Sequence, residues 1–139
     1  VFGPPASSVA ASDSPTSPGT GADPRLEEIL RRNVQSIIAL NTSRGTKSIF
    51  IGQVLNKAAL TSDSSSGWIP FVRDKDLIEM VTRLNSVMKE EAARSGAIYI
   101  DAQQSTFIPS DFEDEGHFLP SGSQKLANNI ASVVGQNCL

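Results

Sequence analysis

DPRLEEILRRNVQSIIALNTSRGTKSIFIGQV, residues 23–54, holds the change from helical to extended spacing that sets the fold class. Asp23 followed by Pro24 is a helix start. An aspartate side chain can accept from the first free amides, and proline at the first helical position gives up only an N–H that would have no partner. Glu27 and Glu28 add negative charge where the helix dipole is positive. Leu26, Ile29, Leu30, Val34, Ile37, Ile38 and Leu40 recur at helical spacing, and Arg44-Gly45 is a typical helix end. Residues 48–54 then form a short apolar run, which suits a parallel strand covered on both faces.

Upstream, residues 1–23 are mostly Ser, Pro, Gly, Ala and Thr, with Val1, Phe2 and Val9 as the larger apolar groups. Such a segment buries too little to offset its ordering entropy and reads as a linker or flexible loop. Downstream, residues 55–73 lack a period. A second helix is predicted from about Lys75 to Ser95, with Leu77, Ile78, Met80, Val81, Leu84, Val87 and Met88 on one face and Gly96 as its cap. Residues 97–100 read as a second strand ending at Asp101. The last helix is predicted to start near Ser121, whose spacing to Gln124 fits a capping box. Leu126, Ala127, Ile130, Val133 and Val134 would form its buried stripe.

Helix, strand, helix, strand, helix implies an α/β domain with a parallel sheet faced by helices. Two strands are too few for a sheet that stands alone. Residues 24–139 are therefore expected to be the C-terminal half of a doubly wound domain, its other strands lying outside this chain.

Composition removes several function classes. A net charge of -3 and 6% aromatic residues, without a basic patch, argue against nucleic-acid binding. No apolar run approaches the roughly 20 residues of a membrane span. Cys138 is the single cysteine and forms neither an internal disulfide nor a paired-cysteine metal site. Residues 1–23 lack the layout of a signal peptide, which leaves the compartment open, secreted or periplasmic included.

The chemistry concentrates in DEGHFLPSGSQKLA, residues 114–127, which contains the chain's one histidine. Asp114 stands three residues before His117, so the two can meet on a tight turn. The carboxylate would then hold the ring in one tautomer and stabilise the imidazolium. Asp111, Glu113 and Glu115 read as members of a solvated acidic loop, and one histidine among them has no defined metal-ligand spacing. Asp101, at a strand's C-terminal end, sits where α/β folds place functional groups, although bonding to loop backbone is the simpler role. Trp68, Ile69, Pro70 and Phe71 would either wall a pocket or pack as a loop on the sheet; Asn56 and Lys57 lie on the same connection. Gly52 marks a close backbone approach.

Residues 114–127 resemble the last conserved block of the SGNH hydrolases, the GDSL esterases and lipases: an Asp-x-x-His pair, a Pro-containing apolar step, then Gly and Ala opening the final helix. RRNVQSIIALNTSRGTKSIFIGQ, residues 31–53, resembles the helix and strand that follow that family's third block. The resemblance covers about residues 24–135. It implies a three-layer αβα fold around a parallel, doubly wound (flavodoxin-like) sheet, and hydrolysis of a small acyl ester without a metal or organic cofactor, with His117 as general base and then acid, oriented by Asp114. The family's Gly-Asp-Ser turn, second-block Gly and Gly-x-Asn-Asp block are all missing here. The nearest stretch, Ser12-Asp13-Ser14-Pro15-Thr16, has Ser in place of Gly, and the second and third blocks do not fit between Ser14 and Pro24. The nucleophilic Ser and the oxyanion-hole Gly and Asn are thus expected on a complementary N-terminal polypeptide, and this chain alone is expected to be inactive. The alternative is a non-catalytic flavodoxin-like binding or interaction module. A Gly-Asp-Ser turn and an Asn block upstream would separate the two.

Overall fold

The computed structural model describes residues 19, 21, 23–65, 69 and 71–137. Ser14, Trp68, Pro70 and Cys138 lie outside the described residues. Among those described, three helices, α1 (Pro24–Ser43), α2 (Leu77–Ser95) and α3 (Pro120–Asn137), accompany two strands, β1 (Ile49–Ile51) and β2 (Ile98–Ile100). The strands are parallel, with Ile49 opposite Ile98 and Ile51 opposite Ile100.

The helix signals act as read for α1. Asp23 Oδ1 accepts from the Arg25 amide at 2.9 Å, and Gly45 is left-handed with φ 68° just beyond the Arg44 cap. Gly96, also left-handed, ends α2. Other boundaries move. Residues 74–76 form a 3-10 turn, so α2 starts at Leu77, and β1 keeps three of its seven predicted residues. The end of the expected linker is tied down, since Gly19 N donates to Phe71 O at 2.6 Å and Arg73 N donates to Gly19 O at 3.1 Å.

The capping box at α3 does not form. Pro120 takes the first helical position, and Gln124 Nε2 donates to Asn128 Oδ1 at 2.9 Å instead. Gly122 is the one buried residue of α3, and Ala127, expected inside, is exposed.

The core has two parts. Leu55, Leu60, Val72, Leu77, Met80 and Val81 pack beneath α2. Val54, Ala102, Phe107 and Phe112, with Phe118 and Leu126 against them, pack at the end of the sheet where both strands exit. The expectation that β1 is covered on both faces is not met among the described residues: Ile49 and Ile51 are more than a third exposed. Leu26, Ile29, Ile37 and Leu40 of α1 are likewise exposed, so its apolar stripe is wider than the surface it covers.

Helices α1 and α2 are joined through a buried carboxylate. Glu91 accepts from Arg31, from Gln35 Nε2 at 2.9 Å and from Arg94 Nη1 at 2.8 Å. It stands four residues after Val87, on the helix face that carries the buried apolar residues. Replacing Glu91 with alanine would leave the Arg31 guanidinium without its buried partner. The expected loss is about 3 kcal/mol of unfolding free energy by urea titration. A loss below about 1 kcal/mol, the range of exposed pairs, would mean that the network does not hold the helices together.

Candidate active site

Two loops leave the same end of the sheet and are locked to each other. Gln104, beyond β2, accepts from Leu55 N at 3.0 Å and donates through Nε2 to Leu55 O at 2.8 Å, so its amide group completes the backbone pairing just beyond β1. The next residue, Asn56, reaches the acidic loop: its amide donates to Glu115 O at 2.8 Å and Nδ2 donates to Asp114 O at 3.2 Å.

The loop from Phe112 to Phe118 closes on itself. These two residues form an antiparallel bridge, Glu113 N donates to His117 O at 2.8 Å, and Leu119 N donates to Asp111 O at 2.9 Å. Beneath it, Phe118 stacks on Phe107 and on Phe112 with ring centroids 5.0 Å apart in each pair. Three apolar rings thus seat a loop whose tip is polar.

At that tip Asp114 and His117 meet as the spacing predicts. Asp114 Oδ1 accepts from the amides of Gly116 at 2.8 Å and His117 at 2.7 Å, the pattern of an aspartate-stabilised turn. Oδ2 lies 2.6 Å from His117 Nδ1. The two backbone amides, then the imidazole, draw the Asp114 carboxyl down to about 2. Its hydrogen bond and charge raise His117 above the ordinary 6.5, with Glu113 and Glu115 adding to the effect. With Nδ1 held by the carboxylate, Nε2 is the nitrogen left to take and return a proton. The ring is 70% exposed, so a reacting group can approach it.

The signs of these shifts give opposite pH windows. The Asp114 contribution to stability is complete above its ordinary pKa of 3.8 and is lost as the pH falls toward 2. The His117 contribution is complete below 6.5 and fades as the pH rises through its raised value. Following the His117 ring protons by NMR should give a midpoint above 6.5 that drops in Asp114→Asn. A midpoint that stays put in the variant would mean that the carboxylate does not act on the ring.

Asp111 was expected in the solvated acidic loop and is instead 2% exposed. Its Oδ2 accepts from Ile108 N at 2.9 Å and Lys125 Nζ at 2.6 Å. These donors, the Ile108 amide first, hold its carboxyl below the usual range. Asp111 thereby fastens the loop carrying the dyad to the first turns of α3. No local spacing marks the pair, because its partners are brought together only by the turn at residues 113–118.

Gly122 completes the fastening. A methyl group there would run into the Asp111 carbonyl and lie 2.5 Å from Phe118 Cδ1, so helix and loop meet at a distance that only glycine allows.

The other candidates separate. Asp101 Oδ1 accepts from Gln103 N at 2.9 Å and its carbonyl accepts from Asn129 Nδ2 at 2.8 Å, so it stiffens the loop after β2. Gly52 does mark a close approach, with the Tyr99 hydroxyl in the space a methyl would need. Ile69 packs on the core beneath α2, whereas Phe71 is exposed with φ 66°. Among the described residues no group of three or more His, Cys, Asp or Glu could hold a metal ion, and no helix is long and apolar enough to cross a membrane. No family model and no curated protein matches the chain.

Proposed function

We propose that this chain supplies the acid–base half of a serine acyl hydrolase of the SGNH type. His117 serves as general base and then acid, and Asp114 orients it. A complementary N-terminal polypeptide brings the nucleophilic Ser and the oxyanion-hole Gly and Asn, and completes a three-layer αβα domain around a flavodoxin-like sheet. The substrate is a small acyl ester.

The observation that carries this reading is the 2.6 Å contact between Asp114 Oδ2 and His117 Nδ1, on a carboxylate already fixed by two amides. In acyl transfer such a pair takes the serine proton at Nε2 as Oγ attacks the carbonyl. It returns that proton to the leaving alcohol, and the sequence repeats with water to release the acid. Support for a complement comes from the uncovered apolar groups of α1 and β1 and, among the described residues, from a sheet of two strands.

The experiment is to treat the complete protein with a fluorophosphonate, which phosphonylates an activated serine hydroxyl, and to locate the adduct by mass spectrometry. The expected result is one adduct, on a serine of a Gly-Asp-Ser turn in the complementary segment. A complete protein that takes no adduct while folded would remove the hydrolase reading in favour of a flavodoxin-like binding or interaction module.

A further inference from the structure

We propose that the cleft between the loop after β1 and the loop after β2 binds the apolar chain of the substrate and sets a preference for chain length. The word substrate rests on the hydrolase reading; the cleft's affinity for an apolar chain does not. Its volume is about 400 Å³, and Leu55, Ala58, Phe107, Ile108, Pro109 and Phe112 supply its apolar wall. That size and lining are those of small-molecule sites, which are mostly apolar with a few placed polar groups.

The wall is formed in advance. Leu55 is held through both backbone groups by Gln104, and Phe107 and Phe112 belong to the three-ring stack. Ile108 is 54% exposed, yet its amide is fixed by the buried Asp111 carboxylate, so the fold holds this apolar side chain toward solvent at the cleft. An apolar chain in the cleft would cover it.

Asn56, Lys57 and Gln104 are the polar residues of the lining, and among them Asn56 is the one bonded to the dyad loop. Its Nδ2 is engaged by the Asp114 carbonyl, while Oδ1 is buried and has no hydrogen-bond partner. Asn56 touches the backbone of Asp114 on one side and lines the cleft on the other, so the cleft adjoins the loop that carries the dyad.

The test uses the complete protein and straight-chain alcohols from 1-butanol to 1-octanol, with binding measured by ligand-observed NMR. Affinity should rise roughly fourfold per methylene, as burial of CH₂ groups requires. Ala58→Trp, which fills the cleft, should weaken 1-octanol binding at least about tenfold, and Ile108→Asp is a second variant should the first fail to fold. Affinity indifferent to chain length, or untouched in a folded variant, overturns the proposal. Two ester series then identify the chain: methyl esters of acids from acetyl to octanoyl, and acetyl esters of alcohols from methyl to octyl. The series whose kcat/KM climbs with length identifies the acyl or the alcohol side as occupant, and two flat series overturn the assignment to substrate. Length-dependent octanol binding in a protein that cleaves no ester would leave the cleft standing and end the hydrolase reading alone.

Discussion

On the proposed hydrolase reading, replacing His117 with alanine should lower kcat for ester hydrolysis by the complete protein about ten-thousand-fold or more, with little change in KM. Nothing in the rest of the loop can stand in for the imidazole, since His117 is the chain's only histidine. Asp114→Asn is the sharper variant. Asparagine keeps an Oδ1 that can accept from the Gly116 and His117 amides, so the turn survives. It puts an NH₂ where Oδ2 faced His117 Nδ1, which makes Nδ1 the acceptor and moves the ring proton to Nε2. A histidine protonated at Nε2 cannot take the serine proton from that atom. A loss of about a hundred- to ten-thousand-fold is expected. The acid limb of kcat/KM should fall with it: in the wild type it lies above 6.5 because Asp114 raises the imidazole, and without the carboxylate it moves down. Wild-type turnover in a folded Asp114→Asn protein would remove Asp114 from the mechanism.

The parts of this fold that were legible in the sequence are those written in local spacing. Asp23-Pro24 and Gly45 fix the ends of α1 because capping depends on a few consecutive residues. Asp114 and His117 meet for the same reason: the turn that joins them is closed by the aspartate itself. What could not be read is what non-local contacts decide. Asp111 looks like any residue of an acidic loop until the loop folds back and brings Lys125 to it. Glu91 was hidden by its charge, although its spacing from Val87 places it on the buried face; three donors from two helices make that burial tolerable. The capping box failed because Pro120 is the better first helical residue, which puts Ser121 inside the helix and away from the cap position. The stripes of α1 and α3 have the spacing of core helices, but spacing says only which face is apolar, not whether a second layer is present to cover it.

Two glycines of α3 should respond to the same substitution with opposite signs, and the difference tests how the dyad is held. At Gly135 an added methyl meets nothing within 4 Å, so alanine there only relieves the backbone entropy of a helical glycine. A gain of up to about 1 kcal/mol is expected. At Gly122 the same helix preference is overwhelmed. The methyl would meet the Asp111 carbonyl, which is backbone and is already committed to the Leu119 amide at 2.9 Å, and would press on the Phe118 ring. Neither can move alone, since Phe118 is stacked on two other rings and Asp111 is tied to Ile108 and Lys125. The first turn of α3 must therefore back away from the loop, at a cost of about 3 kcal/mol in the unfolding free energy. Because the dyad sits on that loop, Gly122→Ala should also weaken the coupling between Asp114 and His117, lowering the His117 midpoint toward 6.5 where Gly135→Ala leaves it in place. Urea unfolding and the ring-proton titration of both variants make the comparison. Equal stability of the two would mean that α3 does not clamp the loop, and that the dyad is held by the turn and Asn56 alone.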